Sequence, residues 1–285
     1  MRKRKGADFK RMVFTFLISC FTLALFPDAV AQPRMETFLF PDKHRPNEWR
    51  LDVYFKLQRD WLSQLGRPER PQQARAIVAV LNSQKEVLAE KVVAVNISRA
   101  NERMLEENHS SVQQHASFHL KSGNYRVVFE LQLEREKTLF AATKKVQVGE
   151  RNGRVDLSDL VPVRFPKLAE PPFSELFWVE DEPHALNFLL YYEVHTAAPD
   201  TLIHLHSVIE NQQGGALRQE TYALSVDRNM KHDFLRVDLD ALPWGTYLVH
   251  LKVQGSAPLQ QRTFEFSTGG GSLGVKENPQ QSSTL

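Results

Sequence analysis

Leu120-Lys-Ser-Gly123-Asn-Tyr125-Arg-Val127-Val-Phe129-Glu-Leu131 returns as Leu242-Pro-Trp-Gly245-Thr-Tyr247-Leu-Val249-His-Leu251-Lys-Val253, so that Gly and Tyr both recur 122 residues on. In each copy a glycine turn feeds a tyrosine and then an apolar/polar alternation of period two, the pattern of a strand with one buried face. A repeat at this spacing duplicates a whole domain. Tyr125 and Tyr247 stand where immunoglobulin-like sandwiches place a corner tyrosine, whose hydroxyl bonds back to nearby backbone. Both are read as structural corners.

Strand patterns extend outward from the two copies. Trp49, Leu51, Val53, Phe55 and Leu57 alternate on one face and are read as the first strand, after an extended lead from Pro33 to Asn47. Further runs follow at Ala76 to Leu81, Val87 to Ile97, Val112 to Leu120, Tyr125 to Leu133 and Leu139 to Val148. Leu186 to Val194 opens a second set, continued by Leu202 to Ile209, Tyr222 to Val226, Phe234 to Leu239, Tyr247 to Val253 and Arg262 to Phe266, with a hairpin signal at Asn211-Gln-Gln-Gly214-Gly215. Short strands at this density predict an all-β chain of two tandem immunoglobulin-like β-sandwich domains. Domain one is placed at 32–150 and domain two at 175–268. Between them, 151–174 carries Pro162, Pro166, Pro171 and Pro172 and reads as a Pro-rich linker. Residues 269–285, rich in Gly, Ser and Gln, read as a disordered tail.

The N-terminus orders six basic residues, an uncharged run from Met12 to Phe26, and Ala29-Val-Ala31. That succession is a secretory signal peptide over 1–31. The run is 15 residues, short of the roughly 20 a membrane-spanning helix needs. An alternative is acylation, because Leu17-Ile-Ser-Cys20 resembles a bacterial lipoprotein box. Cleavage after Ala31 is the favoured reading, since cleavage at Cys20 leaves Phe21 to Phe26 as an exposed apolar stub. Removing 1–31 takes away six basic and two acidic residues and moves the formal charge from +2 to −2. No basic cluster with interleaved aromatics remains, which argues against nucleic acid as a partner. Cys20 is the single cysteine, so the mature chain has no disulfide and is held by its core.

The aromatic opening strand, the Leu-x-x-Gly-x-Tyr turn, Val155-Asp-Leu-Ser158-Asp159-Leu160 and Tyr191-Tyr192-Glu193-Val194, in that order, resemble the N-terminal β-sandwich region of bacterial secreted proteins named for a Gly-Trp-x-Thr-Asp (GWxTD) motif. The resemblance covers roughly Trp49 to Phe266. It implies bacterial export and paired sandwiches. Gly-Trp-x-Thr-Asp itself occurs nowhere in the sequence, so nothing belonging to that motif's domain carries over.

Candidate chemistry is sparse. His204 and His206 share a strand face and could chelate a metal with His195 or His250, but Leu205 between them reads as the inward residue, leaving the histidines outward. Glu180-Asp-Glu182 and the Asp238/Asp240 pair lack the spacing of a calcium loop and read as solvated. Ser158-Asp159 and a histidine form a triad only on paper. No metal, cofactor or catalytic residue is expected. The aromatics outside the alternation, Trp61, Trp178 and Trp244, form the candidate binding surface, against which stands their packing at the domain junction and a sandwich end. The reading is an exported, non-catalytic interaction or scaffold module of the bacterial cell envelope, periplasmic or extracellular, whose partner is an envelope or extracellular protein. The alternative is a carbohydrate-binding module whose surface Trp residues bind a glycan, and a hydrolase ranks lower.

Overall fold

The computed structural model describes residues 33–58, 73–96, 111–133, 137–151, 154–163, 187–238, 245–256 and 259–268, with Leu176, Leu242 and Pro243. The described residues form strands and turns only, and no helix among them is long and apolar enough to cross a membrane. In chain order the strands are β1 (Arg34–Pro41), β2 (Trp49–Gln58), β3 (Gln73–Leu81), β4 (Val87–Asn96), β5 (Ser111–Leu120), β6 (Gly123–Leu133), β7 (Lys137–Val148), β8 (Val155–Leu157), β9 (Val161–Val163), β10 (Asn187–Thr196), β11 (Thr201–Asn211), β12 (Ala216–Val226), β13 (Met230–Asp238), β14 (Gly245–Val253) and β15 (Gln261–Thr268).

The duplication read from one turn holds for the whole strand order. A three-stranded sheet β1-β2-β5 and a four-stranded sheet β4-β3-β6-β7 recur as β8/β9-β10-β13 and β12-β11-β14-β15. The chain is all-β with immunoglobulin-like order in each repeat. Even the matching hairpins share chemistry: Asn82 Oδ1 accepts the Gln84 and Glu86 N–H groups between β3 and β4, and Asn211 Oδ1 accepts those of Gln213 and Gly215 between β11 and β12. A short side-chain amide stands in for a turn carbonyl in both. Gly214, at φ +79°, supplies the left-handed step that only glycine takes freely.

The core of the second repeat follows from the alternation. Tyr247, Val249, Leu251 and Val253 of β14 face Phe188, Leu190, Tyr192 and Val194 of β10, and Phe266 meets Phe188 edge-on at 5.3 Å. Each such side chain stabilises by roughly 1.5–3 kcal/mol relative to exposure. In the first repeat Phe55 stacks on Phe129 at 4.8 Å.

Two expectations change. The extended lead holds β1, so Trp49 begins the second strand. The segment taken as a linker contains β8 and β9, which pair antiparallel with β10 through Val194↔Leu157 and Leu190↔Pro162. Proline is tolerated there because these short strands lie at the margin of their sheet. By contacts the described residues form two compact units, one taking those within 33–36, 54–116 and 124–146, the other those within 37–53, 117–123 and from 147 onward. The signal peptide and the tail lie outside the described residues.

Candidate functional site

Period two sends Tyr192 and Val194 of β10 into the core, and Tyr191, Glu193 and His195 to the opposite face. That second face is sealed as well, with the three residues 1%, 5% and 6% exposed. Buried polar groups need partners. Glu193 accepts the Tyr191 hydroxyl at 2.9 Å on Oε1, and its Oε2 lies 3.0 Å from His195 Nε2. Arg50 of β2 supplies the countercharge: its Nε donates to Asp52 at 3.2 Å, one terminal nitrogen lies 3.9 Å from Glu193, and its plane sits 4.6 Å from the centre of the Phe40 ring. Tyr191 continues the layer, stacking on His232 at 5.7 Å.

Beside this cluster, Arg151 bonds Asp156 at 2.9 Å and donates to the Asp42, Arg45 and Glu48 carbonyls at 2.8, 3.3 and 3.3 Å. One guanidinium thus fastens the 42–48 loop to β8. Asp42 organises that loop from within, accepting the His44 and Arg45 N–H groups and pairing with His119. Burial alone would raise its carboxyl, but the His44 N–H and the His119 ring outweigh that and hold it below the ordinary range.

The Val155-to-Leu160 segment clasps three strands. Ser158 accepts the Glu193 N–H at 2.7 Å on its hydroxyl and donates to the Asp159 carbonyl. Asp159 accepts the Leu39 N–H at 2.8 Å, and its other oxygen lies 3.1 Å from Arg262 Nε, an ion-pair contact without hydrogen-bond alignment. Arg262 in turn lies over Trp49 at 5.4 Å. The paper triad of Ser158, Asp159 and a histidine is not assembled, because serine and aspartate are both engaged with backbone.

The histidines separate. His204 is exposed and His206 is bonded across the ladder to Thr221 at 3.1 Å, both on the outer face, with Leu205 buried between them. His250 is held by Glu210 and Thr263, each at 2.8 Å. His195 is in the sealed cluster. Among the described residues no three metal-ligating side chains converge. Asp238 lies 3.9 Å from Arg236, and Asp240 and Glu180 to Glu182 lie outside the described residues, as do Trp61, Trp178 and Trp244. Trp49, the described tryptophan, is buried and donates its ring N–H to the Gly149 carbonyl at 3.0 Å. Tyr247, 3% exposed, donates its hydroxyl to the Pro243 carbonyl four residues back, and Tyr125 is half-buried.

One open cleft of about 540 Å³ lies between β12 and β13, lined by Arg218, Glu220, Tyr222, Asp233, Leu235 and Arg236 among others. Tyr222, one of its lining residues, meets the Tyr192 hydroxyl with its own at 2.9 Å. Burial drives both phenols upward, so both stay neutral.

Sequence reasoning missed the Arg50, Arg151 and Glu193 network. Its polar residues alternate with apolar ones like those of a solvated face. The signal is the matching of three arginines, Arg50, Arg151 and Arg262, with four carboxylates, Asp52, Asp156, Asp159 and Glu193.

No family model matches the chain, and no curated protein matches it. Among solved structures it is similar to dimeric latent PorU from Porphyromonas gingivalis, at 9% identity and a TM-score of 0.34 over 84% of this chain, which spans 20% of that chain. An adhesin from Mobiluncus mulieris is similar at 8% identity and a TM-score of 0.27, with 79% of this chain and 81% of the adhesin covered. The FN1–FN3 domains of chicken CNTN1 give 11% identity and a TM-score of 0.24, over 77% of this chain and 62% of theirs.

Proposed function

We propose that this chain is an exported, non-catalytic interaction or scaffold module of a bacterial cell envelope, with a protein as its partner. One observation carries the reading: among the described residues, the serine, carboxylate and imidazole that come together, Ser158, Glu193 and His195, are spent on holding strands together. The Glu193–His195 pair has the form of a base with its orienting carboxylate, yet it is sealed, and the Ser158 hydroxyl accepts the Glu193 N–H in place of facing an imidazole. A general base must reach the proton it abstracts. What stays open is surface along strand edges, where backbone groups are available to another chain. Purified protein is expected to turn over no ester, peptide or glycosidic substrate. Turnover abolished by His204→Ala or His206→Ala would overturn the proposal, because those imidazoles lie two residues apart on the outer face of one strand.

A further inference from the structure

Strand β12 is the edge of its sheet, paired among the described residues with β11 alone. Its first six residues, Ala216 to Thr221, are all exposed, and Leu217 is 48% exposed. Natural edges are blunted with charged side chains, lysine above all, with proline or with a bulge; the charges on β12, Arg218 and Glu220, are of opposite sign. Neither Lys nor Pro occurs from Ala216 to Val226; the register shift between Ile209 and Glu210 bulges the strand at its N-terminal end only.

The side chains on this edge are their own complement. The ladder to β11 puts Arg218, Glu220 and Tyr222 on the cleft-facing side with Ile209, Ser207 and Leu205, and Gln219 and Thr221 on the other. A two-fold axis through Gln219 and normal to the sheet keeps faces matched, because residues directly opposite share a face in an antiparallel pair. On the cleft side it sets Arg218 against Glu220 and Glu220 against Arg218 of the second copy, while Ala216, opposite Glu210 beyond the bulge, falls on the other face. On the other side it sets Gln219 against itself, and Leu217 lies in the bulge, outside the regular alternation. No like charges meet. Arg218 and Glu220 already touch within one chain, at 2.6 Å, so both point the same way before a partner arrives.

We infer that β12 pairs antiparallel with β12 of a second copy of this chain, joining two four-stranded sheets into one through an isologous contact centred on Gln219. The axis leaves the cleft beside Arg218 and Glu220 closed by the second copy's β12. The contact is a short one, below the size of permanent dimer interfaces, and its association is weak and reversible. This inference stands apart from the proposed lack of catalysis, which a turnover assay tests and a sedimentation measurement does not.

The test is sedimentation equilibrium of the purified chain and three variants. Wild type dimerises. Arg218→Glu alone, or Glu220→Arg alone, puts two like-charge pairs across the axis and raises the dimer dissociation constant about tenfold, and the double variant returns it to within about threefold of wild type. Both substituted positions are exposed, so melting temperatures stay close to wild type and loss of folding is ruled out by the same samples. In a Cys20→Ser background, Gln219→Cys forms a disulfide-linked dimer on mild oxidation, whereas Glu265→Cys on β15, at the opposite edge of the sheet, does not. Monomer at all concentrations up to about 100 μM would sink the inference. So would a dimer that ignores both charge reversals and leaves the Gln219→Cys variant unlinked.

Discussion

Tyr247 ties the L-x-x-G-x-Y turn of the second repeat to its core through a buried ring and one hydroxyl bond to Pro243. Tyr247→Phe removes the bond alone and is expected to cost about 0.5–1.5 kcal/mol, while Tyr247→Ala leaves a ring-sized void and costs about 3–5 kcal/mol. Urea unfolding midpoints read both. Tyr125 in the same sequence frame is half-buried, so its alanine variant costs less than that of Tyr247. A second residue carries a pH signature. Glu130 is 4% exposed on β6, and burial first, then the neighbouring Glu90, raise its carboxyl above the ordinary value while Gln132 donates to it at 2.9 Å. A raised folded pKa means that the folded state binds the proton more tightly than the unfolded one. Its penalty is therefore absent below the unfolded carboxyl pKa and grows as pH rises through the folded one. Glu130→Gln is expected to stabilise the protein at neutral pH and to change nothing in acid. A stabilisation constant across pH would show that packing, not ionisation, is responsible. At this scale the corner tyrosine was legible because its glycine, its spacing and its alternation sit in one short phrase. The Arg50–Glu193 cluster was not, because whether a polar face is wet depends on what packs against it from a strand far away in the sequence.

Strands with a clean apolar face emerged from the sequence to within a few residues. Those without one did not. Ala216 to Thr221 of β12 shows no apolar face of period two, so the strand read from sequence begins only at Tyr222, yet the ladder to β11 holds the whole segment as strand. β8 and β9 have three residues each, too few to show a period, and Pro162 argues against a strand by itself. They exist because β10 offers a buried neighbour whose backbone would otherwise be unpaired. The consequence is a changed cleavage pattern. Proteases cut where backbone is exposed and unbonded, and Val155 to Leu157 and Val161 to Val163 are bonded and almost wholly buried. Limited proteolysis is expected to leave 155–163 intact and retained with the fragment that carries β10. Mass spectra with fragment ends inside 155–163, appearing early, would show that the two short strands do not protect their backbone.

Over the whole molecule the repeated strand order explains how a chain with a single cysteine is stabilised. Each repeat buries its own aromatic cluster, Phe55 with Phe129 and Phe188 with Phe266, so burial of apolar surface replaces the covalent staples that small exported domains require. The proposed export rests on Ala29 and Ala31, small residues of the kind a processing site needs, and on the 15 uncharged residues from Met12 to Phe26, the length of a leader's apolar core. The exported form is accordingly expected to begin at Gln32 and to carry a formal charge of −2 in place of +2. Intact mass of the protein recovered from outside the cytoplasm measures the first, and its isoelectric position the second. A mass matching a lipid-bearing N-terminus at Cys20 would replace this expectation with membrane attachment, keeping Phe21 to Phe26 as a tether against the bilayer and restricting any contact between two copies to the plane of that surface.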